Sequence, residues 1–117
     1  MKMMTKARKI ASKSDHKYHR HSTLILKGGA LISSGFNHGW VHSEIDAISN
    51  MPLSKRRSFD AWYEKVNGST FINTMITKAG NYGESRPCNR CWNILKAYEI
   101  GKVIYFDGDD WVSERVR

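Results

Sequence analysis

Two short segments of the chain carry side chains that can bind a metal ion and move a proton. The first contains His42 and Glu44, and the second contains Pro87, Cys88 and Cys91. A catalytic zinc ion takes three protein ligands and keeps its fourth tetrahedral position for water. A carboxylate beside such a site can take a proton from that water. The spacing predicts His42, Cys88 and Cys91 as zinc ligands and Glu44 as the proton shuttle.

Both segments are predicted to begin helices. Pro87 suits a helix start because its missing N–H has no partner to lose there. Cys91 then lies in the first helical turn, where the partial positive charge of the helix end favours a thiolate. Glu44 is expected in the first turn of another helix, close enough to reach the water without being a ligand.

Weaker interpretations apply to each segment alone. A Cys-x-x-Cys pair is also typical of redox pairs, of structural zinc half-sites and of ordinary buried thiols. A closed zinc site with His38 as a fourth ligand would make the chain a non-catalytic zinc module that binds nucleic acid. Asn37 and Gly39 flank His38 and are poor helix formers, so a helical presentation of His38 with His42 is disfavoured.

In this order, the two motifs resemble the signature of the cytidine deaminase superfamily. The resemblance runs from about Ser22 to Phe106 and includes Ser-Gly-Phe-Asn at residues 34–37. It implies a zinc-dependent hydrolytic deaminase that converts a cytosine base to uracil and releases ammonia. A free cytidine or deoxycytidine nucleoside or nucleotide is the substrate favoured first. Cytosine in single-stranded DNA or RNA, and a purine base, are the alternatives.

The resemblance also implies substrate contacts. Asn37 would hydrogen-bond the sugar, and the backbone carbonyl of Arg86, just before Pro87, would contact the exocyclic amine. The backbone N–H groups of Ser43 and Cys88 would line the site. Ser43 stands where members of the family usually carry Ala, and Arg86 stands where many have a small residue.

Aromatic and histidine side chains near the motifs have two interpretations each. Trp40 can stack on a base or fill the core, and Tyr82 is a candidate substrate contact in the polar loop before Pro87. His19 and His21 alternate along one side of a strand and could indicate a second metal site. Because no cysteine or carboxylate cluster accompanies them, surface or stacking roles are favoured.

The fold class predicted is a three-layer α/β/α cytidine deaminase-like fold with a mixed sheet of four or five strands. The sequence patterns predict strands at 22–26, 30–35, 70–77 and 102–106, with a Gly28-Gly29 hairpin turn between the first two. Helix-linked strands two, three and four are expected to run parallel, which places the site beyond their carboxyl ends. A fifth strand within 111–117 would be antiparallel, because the short connection allows only a hairpin.

Three helices are predicted between the strands, at 42–50, at 59–66 and at 88 to about 98. Pro52 is expected to end the first of them. Phe59, Trp62, Tyr63 and Val66 have helical spacing, which indicates core packing or, alternatively, a lid or subunit contact. Small members of the resembling family build their sites from neighbouring subunits, so a homo-oligomer is expected.

The 117 residues predict a single domain, with a basic arm at 1–21 and a catalytic core at 22–117. Residues 1–27 hold eight Lys or Arg against Asp15 alone, which accounts for +7 of the net charge of +8. Such an arm can attract phosphates on a nucleotide or a strand. It can also be the solvated face of a helix that packs through Met3, Ala7 and Ile10. No long apolar run indicates a membrane span or secretion, and two cysteines three residues apart suit a reducing cytoplasm.

Overall fold

The computed structural model describes residues 2–51 and 59–117, which form a mixed five-stranded sheet with helices on both faces. The strands are Arg20–Lys27 (β1), Ala30–Phe36 (β2), Thr70–Ile76 (β3), Lys102–Phe106 (β4) and Trp111–Arg115 (β5). The helices of the described ranges are Lys2–Ala11 (α1), Ser43–Ser49 (α2), Phe59–Val66 (α3) and Asn89–Ala97 (α4). The predicted α/β class and the mixed sheet are confirmed.

The strand order is β2-β1-β3-β4-β5. β1 is antiparallel to both β2 and β3, so these two strands run in the same direction with β1 between them. β3 and β4 are parallel, and β5 returns antiparallel to β4, as the short connection requires. The carboxyl ends of β2 and β3 and the amino end of β1 therefore share one edge of the sheet.

The hairpin between β1 and β2 turns at Gly28 and Gly29, whose φ angles of 59° and 80° are both positive, as predicted. β1 begins two residues earlier than the sequence pattern indicates. The reason is cross-strand pairing, because Arg20 and His21 lie opposite Ile76 and Met75 of β3.

One face of the sheet is covered by α1. Ala7 and Ile10 are buried against Leu24 of β1 and Ile72 of β3. The interpretation of this segment as a helix with one packed face and one solvated basic face is confirmed. Among the described residues, no helix has the length and apolar character needed to cross a membrane.

The opposite face of the sheet carries the main core. Residues that alternate with those facing α1, such as Ile25 and Phe71, pack here beneath α2, α3 and α4. The fully or almost fully buried members contributed by the helices are Ala47, Ile48, Val66 and Leu95. The two cores on opposite faces of one sheet make the three layers.

Helix α3 joins the main core through Val66, which is fully buried, and through Trp62, which packs against the cluster. Phe59 stays 48% exposed and stacks on Tyr98 with ring centroids 4.5 Å apart. Core packing of this helix is confirmed, and a lid or subunit contact remains a prediction. The predicted helix end at Pro52 lies outside the described residues.

Helix α2 approaches the sheet closely at Gly35. A Cβ atom at this glycine would lie 2.3 Å from the backbone nitrogen of Ala47. No side chain fits between strand and helix here, so the glycine sets how closely α2 packs on β2.

Candidate metal centre and active site

Two helix starts meet at the edge of the sheet where β2 and β3 end. His42 caps α2 and Cys88 caps α4, both with extended backbone angles (φ −76°, ψ 153° and φ −66°, ψ 165°). Cys91 and Glu44 lie in the first turns of α4 and α2, as predicted. Although His42 and Cys88 are far apart in sequence, the parallel directions of β2 and β3 bring their helices together.

His42, Cys88 and Cys91 form a compact donor cluster. Their ligand atoms all lie within 4.8 Å of one another. The His42 Nδ1 atom is 3.3 Å from the Cys91 sulfur and 3.9 Å from the Cys88 sulfur. Tetrahedral zinc with ordinary Zn–N and Zn–S bonds requires nitrogen and sulfur ligands about 3.6 Å apart. The three side chains therefore fit a zinc ion that leaves one coordination position for a non-protein ligand.

The environment of Cys91 is relevant to metal binding. Burial, followed by the nearby Glu44 carboxylate, raises the pKa of the Cys91 thiol. A divalent cation reverses this preference because it stabilises the thiolate directly. Metal binding at this cluster is therefore coupled to the release of a proton.

His38 lies elsewhere and does not complete a closed site. Its Nε2 atom is 2.9 Å from Asp46 Oδ1, and its ring packs against Phe36. Asp46 also accepts hydrogen bonds from the Phe36 backbone and from Asn50, so it ties α2 to the end of β2. Within the described ranges the cluster holds three protein ligands, and the closed site with His38 is wrong.

Glu44 is buried, with 5% of its surface exposed. Its Oε2 atom accepts a hydrogen bond from Asn73 Nδ2 at 3.0 Å, and its Oε1 atom lies 3.2 Å from the Ser43 hydroxyl. Glu44 also lines the cavity that His42 and Cys88 reach. The Glu44 carboxylate is thus held beside the donor cluster and faces the cavity where a substrate would enter.

A cavity of about 360 Å³ opens over the cluster. Its lining contains most of the residues that the sequence assigned to substrate binding: Asn37, Trp40, Ser43, Arg86 and Pro87. Tyr82 lies outside this lining. It packs on Phe106 and Trp111, and the Arg8 guanidinium sits 4.7 Å from its ring centroid. Nothing in this placement supports a substrate contact for Tyr82.

Trp40 is 98% exposed and stands at the lip of the cavity. The alternative that Trp40 fills the core is therefore wrong. An exposed indole beside a cavity offers a flat apolar surface on which a base can stack.

The side chain of Arg86, which lines the cavity, is held by neighbouring side chains. Its guanidinium contacts both carboxylate oxygens of Glu114 at 3.1 Å and lies 4.3 Å from the ring centroid of Trp92. The hydrogen bonds from Arg86 and Tyr105 lower the pKa of Glu114. The guanidinium is thus already paired, and a substrate contact through the backbone carbonyl of Arg86 remains a prediction.

The loop before the cysteine ligands is anchored by Ser85. Its N–H donates to the Phe106 carbonyl, its hydroxyl donates to the Asn73 carbonyl, and the Phe106 N–H donates to its hydroxyl, all at 2.9 Å. Ser85 is 1% exposed. This buried residue, which sequence reasoning missed, fixes the path of the chain into Pro87 and Cys88.

The sequence also missed that three histidines line the cavity. They are His16, His19 and His21, contributed by the segment before β1 and by its first residues. Burial, followed by the nearby His19, His42 and His16, lowers the pKa of His21 to about 4. The alternation of His19 and His21 was visible in the sequence, but the position of β1 between β2 and β3 was not.

Comparisons with solved structures agree on the fold, although no protein-family profile and no curated protein matches the chain. The apo dCMP deaminase of cyanophage S-TIM5 has a TM-score of 0.61 at 18% identity, over 92% of this chain and 81% of that one. RibD of Acinetobacter baumannii has a TM-score of 0.57 at 20% identity, over 87% of this chain and 26% of that one.

A third structure is the diaminohydroxyphosphoribosylaminopyrimidine deaminase/5-amino-6-(5-phosphoribosylamino)uracil reductase of Thermotoga maritima. Its TM-score is 0.54 at 19% identity, over 87% of this chain and 27% of that one. This chain therefore spans about a quarter of the length of the RibD and Thermotoga proteins. The molecule has the cytidine deaminase-like fold, with one histidine and two cysteines converging at the helix starts.

Proposed function

We propose that this chain is a zinc-dependent hydrolytic deaminase that converts a cytosine base to uracil with release of ammonia. The observation that carries the proposal is the convergence of His42, Cys88 and Cys91 beside the buried carboxylate of Glu44 in one cavity. The fold supports it, since two of the similar structures are named as deaminases and one of these as a dCMP deaminase.

Zinc held by His42, Cys88 and Cys91 would supply a water molecule whose pKa is lowered enough for attack on carbon near neutral pH. Glu44 accepts a proton from the attacking water and delivers it to the ring nitrogen of the base. Glu44 then takes the second proton of that water from the hydroxyl group now on the ring carbon and passes it to the amine, which leaves as ammonia while the carbonyl of uracil forms. The backbone carbonyl of Arg86 and the N–H groups of Ser43 and Cys88 orient the base.

The histidines of the cavity favour a phosphorylated substrate. His16, His19 and His21 line the same cavity as the metal-binding residues His42 and Cys88, so one ligand in the cavity can contact both groups. Glu44 is the sole acidic residue among the described residues of the lining. Imidazole N–H groups can donate to phosphate oxygens. A pyrimidine nucleoside monophosphate fits these features, with its base over the donor cluster and its phosphate at the wall formed by the three histidines.

Cytosine in single-stranded DNA or RNA is the second candidate. Trp40 supports it, because an exposed indole at the cavity lip can stack on a base next to the one being deaminated. The basic residues of 1–27 would then contact phosphates along the strand. A homo-oligomer and a cytoplasmic location remain predictions from the resemblance and from the cysteine content.

The test is ammonia release by the zinc-loaded protein on cytidine, deoxycytidine, their monophosphates and a cytosine-containing single strand. Glu44→Ala should abolish turnover while zinc is retained, and Glu64→Ala, which removes an exposed carboxylate on α3, is the matched control. Turnover of a monophosphate above that of its nucleoside supports the proposal in full. Activity on the strand alone favours the second candidate. An active Glu44→Ala protein, or activity on purines alone, contradicts the proposal.

A further inference from the structure

Four buried polar side chains, one of them Glu44, form a closed ring of contacts. Asn73 Nδ2 donates to Glu44 Oε2 at 3.0 Å, and the Thr23 hydroxyl donates to Asn73 Oδ1 at 2.8 Å. The hydroxyls of Thr23 and Ser43 are 2.8 Å apart, and the Ser43 hydroxyl lies 3.2 Å from Glu44 Oε1, which closes the ring. All four residues are at most 5% exposed, so water does not replace these contacts.

Thr23 and Asn73 are buried polar residues in the middle of β1 and β3. They lie directly opposite each other in the β1–β3 pairing, next to Leu24 and Ile72. Buried polar side chains in such positions cost free energy unless they are fully hydrogen-bonded. Their placement under Glu44 supplies the partners that a buried carboxylate requires.

The donors and acceptors of the ring assign different roles to the two carboxylate oxygens. An ionised Glu44 can only accept, so the Asn73 amide must present its NH₂ group to Oε2 and its oxygen to Thr23. Thr23 then donates to Asn73, and the single hydroxyl hydrogen of Ser43 serves either Thr23 or Oε1. Oε2 is therefore the firmly held oxygen, and Oε1 is the oxygen with capacity left for another hydrogen bond.

Asn73 also links Glu44 to the loop that precedes the cysteine ligands. Its backbone carbonyl accepts the hydrogen bond from Ser85, which anchors the loop leading to Cys88. One residue of β3 thus holds the Glu44 carboxylate through its side chain and the loop before the cysteine ligands through its backbone.

We propose that Asn73 is the positioning residue for Glu44, that Thr23 acts through Asn73 by fixing the orientation of its amide, and that Oε1 is the oxygen that exchanges the proton with the substrate. This inference rests on the proposed function, because it names the groups that hold the proton shuttle in place. Asn73 and Thr23 need not touch the substrate.

The kinetic test compares Asn73→Leu, which keeps the approximate size but removes the donor, with Thr74→Val on the same strand. Thr74 is a matched control because it is equally buried and its hydroxyl has no hydrogen-bond partner among the described residues. Asn73→Leu should lower kcat about 100-fold, within the usual contribution of a general acid–base group, with KM changed less than about threefold. Thr74→Val should leave both constants unchanged. Normal kcat in Asn73→Leu overturns the inference.

A double-mutant cycle tests whether Thr23 acts through Asn73. Thr23→Val should lower kcat about tenfold in the wild-type background and have no further effect in Asn73→Leu, since coupled residues are not additive. An equal effect of Thr23→Val in both backgrounds would show that Thr23 acts by itself. Zinc content and thermal stability of each variant separate a positioning effect from a folding defect.

A readout independent of turnover is the ¹⁵N-resolved NMR signal of the Asn73 side-chain amide, assigned by its disappearance in Asn73→Asp. Glu44→Gln should shift this signal and change the rate at which the amide hydrogens exchange with water. Thr74→Val should leave both the shift and the rate unchanged. An Asn73 amide that does not respond to Glu44→Gln refutes the contact, even if Asn73→Leu fails to fold. Wild-type protein that is silent on every substrate defeats the proposed function instead, and the NMR result then decides the positioning of Glu44 alone.

Discussion

The side chain of Asn37 hydrogen-bonds the backbone at His19 and at His21, on the two sides of Arg20 at the start of β1. Its Oδ1 atom accepts the His21 N–H at 2.8 Å, and its Nδ2 atom donates to the His19 carbonyl at 2.9 Å. The amide therefore continues the contacts between β1 and β2 beyond Phe36. It also holds His19 and His21, which line the cavity, against the end of β2. A sugar contact by Asn37 remains a prediction, and it would have to share an amide already engaged at both ends.

The histidine wall should affect phosphorylated substrates selectively. His19→Asn should raise KM for deoxycytidine monophosphate about tenfold, the equivalent of about 1.4 kcal/mol, and leave the constants for deoxycytidine unchanged. Lys17→Ala is the control, because it removes a nearby positive charge that does not line the cavity. Equal losses on nucleoside and nucleotide would argue against a phosphate position at this wall.

The low pKa of His21 makes stability depend on pH in one direction. In the folded protein the pKa of His21 is lowered to about 4 from its ordinary value of 6.5. As pH falls below 6.5 the unfolded chain takes up a proton that the folded chain does not, so the free energy of unfolding decreases between pH 6.5 and 4. One such group gives a slope of at most about 1.4 kcal/mol per pH unit.

Urea unfolding at several pH values between 7 and 4 measures this effect. His21→Asn removes the titrating group and should make the dependence on pH shallower in that window. Parallel curves for wild type and His21→Asn would show that His21 does not titrate as the structure indicates.

Zinc binding should depend on Cys88 and not on His38. Cys88→Ser replaces a thiolate ligand, and zinc affinity should fall by more than the roughly 10–100-fold that loss of a supporting hydrogen bond costs. His38→Asn should keep zinc, since His38 contacts Asp46 outside the cluster. Metal analysis after dialysis against a graded chelator gives both values. Zinc loss in His38→Asn with retention in Cys88→Ser would reverse the assignment.

Gly35 should tolerate no side chain. Gly35→Ala places a Cβ against the backbone of Ala47 in α2, and overpacking of this kind costs about 1–3 kcal/mol of unfolding free energy. Gly28→Asn is the control, because asparagine accepts the positive φ of the hairpin turn and nothing lies within 4 Å. Thermal unfolding of both variants checks the difference, and an unaffected Gly35→Ala protein would mean that α2 is free to move away from β2.

Local chemistry made much of the fold predictable. The Gly28-Gly29 turn and the short connection before Trp111 each allow few geometries, so the hairpin and the antiparallel last strand followed directly. The helix starts at His42 and Cys88 followed from ligand spacing and from Pro87. These features depend on residues close together in sequence.

Features that depend on strand order were not predictable from one sequence. The place of β1 between β2 and β3 brings His16, His19 and His21 to the cavity and puts Thr23 opposite Asn73. In sequence, Thr23 follows Ser22 and Asn73 precedes Thr74, and no spacing distinguishes them from these polar neighbours or points to Glu44. Their role becomes visible only when the cross-strand register is known.

The exposure of Trp40 gives the protein an optical probe of its own. Among the four tryptophans, Trp62, Trp92 and Trp111 are partly buried, whereas Trp40 projects into water at the cavity lip. Its fluorescence should be red-shifted and readily quenched by acrylamide, and a base stacked on the indole should suppress that emission. Loading of the cavity can thus be followed in real time without a label, by the emission that Trp40→Phe removes.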